Sequence, residues 1–133
     1  MLHAGTYSAN VVAAAAGATL EYMQTNPVFE YLNQLGTTLI AGLKDILTHY
    51  SIPHHFHGTP AMFGISFSET EPKDWRAVLQ TDLAFAEKLF VQMHQRGILI
   101  DASPQQPWYL CAAHTTPDIT ETDSFILTKL NKH

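Results

Sequence analysis

Apolar residues recur along this chain with two periods, and the switches between them divide it into elements. From residue 8 or 10 to about 24, Val12, Ala15, Ala16, Thr19, Leu20 and Met23 fall at helical spacing. This predicts an alanine-rich helix with a small-residue face that can pack closely on another element. Asn26-Pro27 breaks that helix and starts a second, because Asn caps well and Pro is accepted at a first helical position. The second helix runs to about residue 50 on the stripe Leu32, Leu35, Leu39, Leu43, Ile46 and Leu47. Gly36 and Gly42 weaken it, a cost that close packing would explain.

Ser51-Ile52-Pro53 ends this helix, and the period falls to two. Residues 54–57 read as a strand and Gly58-Thr59-Pro60 as a turn. Residues 62–67 read as a second strand in which Phe63, Ile65 and Phe67 alternate with small neighbours. Residues 69–74 form a polar connection, after which Leu79, Leu83, Ala86, Phe90 and Met93 mark a third helix closed by Gly97. Residues 98–100 read as a short buried strand, 101–107 as an irregular loop with two prolines, and 108–112 as a further strand. Thr116-Pro117 starts the last helix, with Ile119, Ile126 and Leu130 facing inward. The expected fold is α/β, leaning to α+β, with helices packed on a small mixed sheet.

At 133 residues the chain suits one domain with a modest core. Its 46% hydrophobic and 14% charged residues leave little polar surface to cover the outside, so a buried partner surface is expected. A formal charge of −5, with seven Lys and Arg scattered singly, lacks the basic stripe that nucleic acid binding requires. The single cysteine, Cys111, allows no internal disulfide and fits a reducing compartment. No stretch approaches the ~20 apolar residues that span a bilayer, and the chain opens without the basic region of a signal peptide. A cytoplasmic protein without membrane or nucleic acid partners is the expectation.

Candidate chemistry begins at the first helix. The string His3-Ala4-Gly5-Thr6-Tyr7-Ser8-Ala9-Asn10 presents small hydroxyls and backbone N–H groups where a helix starts, a pattern that suits a phosphate and equally a plain turn and cap. His54, His55 and His57 suggest a metal, but strand alternation turns His54 away from the other two. With no Cys or paired carboxylate nearby, half-exposed strand histidines are expected and no metal site. His114 has the chemistry of a general base, yet its place before Thr115-Thr116-Pro117 favours strand-end packing and helix capping. Cys111, between Leu110 and Ala112, reads as a small core residue. Asp118, Glu121 and Asp123 stand where a helix dipole favours carboxylates, and Trp108-Tyr109 would line a substrate channel or fill the core. None of these is assigned a catalytic role.

Longer strings carry more information. Gly5-Thr6-Tyr7-Ser8-Ala9-Asn10 leads into the alanine-rich helix with Ala18-Thr19-Leu20-Glu21, then Pro27-Val28-Phe29-Glu30-Tyr31-Leu32. After these come Gly58 with Ala61-Met62-Phe63-Gly64, Arg96-Gly97-Ile98, and Ala112-Ala113-His114-Thr115 with Asp118-Ile119. In this order and over nearly the whole chain they resemble the C-terminal part of class III pyridoxal-phosphate aminotransferases, most closely the glutamate-1-semialdehyde aminomutase branch. The resemblance implies the C-terminal small domain of a fold-type I enzyme over residues 26–133. Residues 1–25 would then be the end of the large cofactor-binding domain.

The same resemblance implies that Gly5 and Thr6 bind the phosphate of pyridoxal 5'-phosphate, reaching across a homodimer interface into the neighbouring subunit's site. It implies an amino-acid, keto-acid or semialdehyde substrate. In that family the catalytic lysine, the aspartate facing the pyridine nitrogen and the ring-stacking residue all lie upstream of the Gly-Thr segment, so this chain is expected to lack them and to be inactive alone. Lys44, Lys73, Lys88, Lys129 and Lys132 lie on polar helix faces or in polar segments, without the apolar pocket that activates an amine. Two departures stand out. Val11 replaces the usual Pro after Asn, and Gln106 lies near where aminomutase-like members tend to carry Glu, which leaves aminomutase and aminotransferase both open. A free-standing, non-catalytic interaction or regulatory module built on the same scaffold is the alternative.

Overall fold

A computed structural model describes residues 5, 10–101, 103 and 105–130. Five helices and three strands follow in the order α1 (Val11–Thr25), α2 (Val28–His49), β1 (His55–Thr59), β2 (Met62–Ser66), α3 (Trp75–Val78), α4 (Leu83–His94), β3 (Trp108–Tyr109) and α5 (Thr116–Leu130). The strands form one antiparallel sheet in the order β1-β2-β3. It is not mixed, because residues 98–100 do not join it. The Ile100 backbone N–H instead bonds to the His94 ring at 3.3 Å, and Leu99 is 86% exposed.

α2 organises the core. Its buried residues Leu35, Gly36, Leu39, Leu43 and Leu47 recur at three- and four-residue spacing; the stripe packs along α5, and its leucines share one buried cluster with Phe63, Ile65 and Trp108 of the sheet. α5 contributes Ile119, Ile126 and Leu130 to the same core, as their spacing predicts, and α4 contributes Ala86, Leu89, Phe90 and Met93. Aromatic rings join sheet to helix: Phe63 packs 5.5 Å from Trp108, and Trp108 lies edge-on to Phe90 at 5.7 Å. Strand alternation separates the Trp108-Tyr109 pair, since Trp108 fills the core while Tyr109 faces solvent.

Close approach accounts for Gly36. A β-carbon there would stand 1.9 Å from the Pro60 carbonyl oxygen, so the β1–β2 turn rests directly on the α2 backbone. Both long helices before a turn end in the same way. Ile52 N–H bonds to Leu47 O and Ser51 N–H to Thr48 O after α2, while Ile98 N–H bonds to Met93 O and Gly97 N–H to His94 O after α4. The left-handed residue is Gly97 in one case and Ser51, at φ 55°, in the other.

The helix expected from Leu79 onward begins only at Leu83, and the short α3 ends before it at Val78. Asp82 accepts a bond from Phe85 N–H at 2.9 Å and starts α4 afresh, and its own N–H is tied to Phe67 O. Leu79 therefore falls between helices and is largely exposed. The strand expected over residues 108–112 ends at Tyr109, which leaves Cys111 exposed, not in the core. α1 forms as its pattern predicts but buries no residue, and Val12, Ala15, Ala16, Thr19 and Leu20 of its small-residue face are all exposed.

Candidate functional site

The site begins where α1 does. Gly5 is exposed, and Thr6 and Ser8 lie outside the described residues. Asn10 caps the helix: its side chain accepts from Val12 N–H at 2.9 Å, and its carbonyl accepts from Ala13 N–H at 3.0 Å. Two donors of the first turn are thus already engaged within the chain.

A second cluster lies on the outer face of the sheet. His55 pairs with Ser66 and His57 with Gly64, so both imidazoles share one face, and His54 turns to the other side with its ring edge against Phe56. His57 Nε2 lies 3.4 Å from the Ser66 hydroxyl. Burial lowers the His57 pKa, the charge of Glu71 opposes that, and His55 adds to it. Among the described residues no group of three or more His, Cys, Asp or Glu is placed to hold a metal ion.

The third cluster closes the turn between β3 and α5. His114 Nδ1 accepts from Cys111 N–H at 2.9 Å, and Tyr31 of α2 donates its hydroxyl to the His114 carbonyl at 2.7 Å. Asp118 accepts from both the N–H and the hydroxyl of Thr115, a capping arrangement that holds its carboxyl below the usual range, with the His114 charge adding to the effect. His114 and Asp118 therefore shape a helix start, the role their positions predict. Glu121 is exposed.

Asp123 differs from its neighbours. Its carboxylate is pressed against α2 at Gly42, where a β-carbon would stand 2.2 Å from Oδ2, and Oδ1 is buried without a hydrogen-bond partner. Burial pushes this carboxyl up to about 6. The sequence signal was Gly42 on the facing helix, and it is legible only once α2 and α5 are paired. Of the lysines, Lys44, Lys73 and Lys88 are exposed, Lys129 is half-buried over the Phe125 ring, and Lys132 lies outside the described residues. Gln106 is exposed in the loop before β3. The described residues bring together no nucleophile with a base and an orienting group.

A family model described as aminotransferase class-III matches residues 1–130. A glutamate-1-semialdehyde 2,1-aminomutase from Thermus thermophilus is 36% identical over 121 residues, covering 90% of this chain and 28% of its own length. The aminomutase 2 of Halalkalibacterium halodurans is 32% identical over 119 residues with the same coverage. Among solved structures, an omega-transaminase from Sphaerobacter thermophilus superposes with a TM-score of 0.79 at 26% identity, over 98% of this chain and 30% of that one. A transaminase with PLP bound shares the fold at a TM-score of 0.74 and 19% identity, over 99% of this chain and 30% of that one. The chain spans under a third of the length of these relatives. The match over nearly its entire length, by sequence and by fold, makes this chain a member of the class III aminotransferase family.

Proposed function

We propose that the chain is the C-terminal portion of a pyridoxal-phosphate enzyme of the glutamate-1-semialdehyde aminomutase kind, working as a homodimer on an amino-acid, keto-acid or semialdehyde substrate. Residues 1–25 close the cofactor-binding domain and residues 26–133 form the small domain. The observation that carries this reading is the 36% identity to an aminomutase over 90% of the chain. α1, which exposes Val11, Val12, Leu20 and Tyr22 and buries nothing, supports it as a helix whose packing partner is the rest of such an enzyme.

Pyridoxal phosphate, when bound, supplies the electron sink for chemistry at the substrate's amine-bearing carbon. The role of this chain is to hold. Gly5 offers an exposed backbone and Thr6 a hydroxyl for the phosphate, with Asn10 fixing the helix behind them. In this reading the reacting amine is assigned to none of the described lysines, because Lys44, Lys73 and Lys88 are exposed and the Lys129 ammonium lies over the Phe125 ring.

Two experiments test the reading. Pyridoxal phosphate added in equimolar amount to the purified chain and reduced with borohydride is expected to leave no single lysine modified stoichiometrically by mass spectrometry. A stoichiometric adduct on Lys44 or Lys88 would overturn the assignment of the amine to another segment. In a hybrid that places this chain at the C-terminus of the Thermus aminomutase, Thr6→Ala removes a hydrogen bond to a charged acceptor worth roughly 1.5–3 kcal/mol, or about 10- to 150-fold in cofactor retention. Unchanged retention would refute the Gly5-Thr6 contact.

A further inference from the structure

α5 is held to the fold chiefly through α2, with Ile119, Ile126 and Leu130 in one buried cluster with the α2 leucines. Between Ile119 and Ile126 the contact is made by a carboxyl group. Asp123 Oδ2 occupies the space a Gly42 side chain would need, and Oδ1 is buried without a hydrogen-bond partner. An apolar side chain would suit this contact at any pH, whereas the two forms of a carboxyl suit it unequally. The neutral acid buries an unpaired polar atom, and the carboxylate buries an unpaired charge, which costs far more.

The charged groups of both helices leave that charge uncompensated. On α2 the nearest in sequence to Gly42, Lys44 and Asp45, are exposed; on α5 Glu121 is exposed and Lys129 lies over the Phe125 ring. Burial alone raises the Asp123 carboxyl, with no contribution from these charges. His114 and Asp118, at the start of α5, are bonded to Cys111 and Thr115 and lie more than a turn away along the helix. Ionisation is therefore relieved by opening that lets water reach Oδ1. α2 is anchored separately, since the β1–β2 turn rests on Gly36, so the movement falls to α5.

We propose that Asp123 and Gly42 form a proton-operated latch: α5 is closed on α2 while the carboxyl holds its proton, and its central turns open locally, with the rest of the core intact, once the proton leaves. The latch is independent of the cofactor reading and needs no residue of the Gly5-Thr6 segment.

The test follows amide hydrogen exchange in the 133-residue chain at pH 5 and pH 7.5, expressed as protection relative to an unstructured peptide so that the intrinsic chemistry cancels. With a folded value of about 6 against the ordinary 3.8, opening becomes about tenfold more frequent across this range. A loss of protection of that size is expected from Asp123 to Leu127 and not from Leu89 to Met93 of α4. G42A places a methyl group where Oδ2 lies and turns the carboxyl out to water, so α5 protection is expected to become independent of pH. D123N is expected to do the same by removing the ionisation. An equal loss in α4 would make the event global unfolding, and a loss confined to residues 116–119 would assign it to His114. Either result would overturn the latch, as would unchanged protection in α5 or a pH dependence that survives in D123N.

Discussion

Replacing Gly36 by alanine sets two physical effects against each other at one atom. In an unobstructed helix the change is favourable by about 1 kcal/mol, since glycine surrenders more backbone freedom than alanine on folding. At this position the new methyl carbon would stand 1.9 Å from the Pro60 carbonyl oxygen and 2.3 Å from its carbon. Ordinary contact begins near 3.4 Å, so α2 and the β1–β2 turn must separate by roughly 1.5 Å. The turn cannot yield alone, because the register from His55 opposite Ser66 to Thr59 opposite Met62 fixes it. Separation also loosens Leu35 and Leu39, which are 5% and 3% exposed. Overpacking that forces backbone away from backbone costs about 2–3 kcal/mol, the upper part of the usual range, and exceeds the helix gain, for an expected net loss of about 1–2 kcal/mol. Gly17 is the control: nothing lies within 4 Å of its would-be β-carbon, so Gly17→Ala is expected to gain up to about 1 kcal/mol. Urea unfolding followed by far-ultraviolet circular dichroism measures both. Should Gly36→Ala unfold at the wild-type midpoint or above while Gly17→Ala rises as expected, the direct seating of the hairpin on α2 would be refuted.

Asp123 gives a pH dependence of defined sign. Its folded carboxyl titrates at about 6 against an ordinary 3.8, so the stabilisation from this group is fully present below 3.8 and lost as the pH rises through 6. The full difference corresponds to about 3 kcal/mol, and screening at a half-exposed group reduces it to about 1–2 kcal/mol. Asp123→Asn is expected to remove that loss, seen as a urea midpoint that no longer falls between pH 4 and 7.5 from this cause; an unchanged pH profile would count against it. Met93→Ala, at a side chain with no exposure, is expected to cost about 2–5 kcal/mol in the same assay. Ser51→Gly relieves a left-handed serine at the end of α2 and is expected to stabilise by about 0.5–1 kcal/mol, with no gain telling against strain there.

Strong periodicity made much of the fold legible. The Leu35-Leu39-Leu43-Leu47 stripe, the Phe63-Ile65 alternation and the inward set Ile119, Ile126 and Leu130 all lie where spacing alone places them. Short apolar runs misled. Residues 98–100 are as apolar as a strand, but the Gly97 turn and His94 hold their backbone outside the sheet. Leu79 fits the periodicity of α4, yet the cap at Asp82 intervenes. Of the candidate site, the Asn10 cap and the structural role of His114 were legible because capping is local in sequence. The enclosure of Asp123 was not, because it depends on Gly42 some eighty residues away, and the same holds for the Tyr31 hydroxyl reaching His114.

The two tryptophans sit in opposite surroundings, Trp75 at 59% exposure at the start of α3 and Trp108 at 5% between Phe63 and Phe90. Their emission will therefore differ in colour and in access to a dissolved quencher such as iodide, red and quenchable for one indole, blue and shielded for the other. A single fluorescence spectrum can then follow loosening of the short third helix separately from opening of the aromatic centre, with no label added.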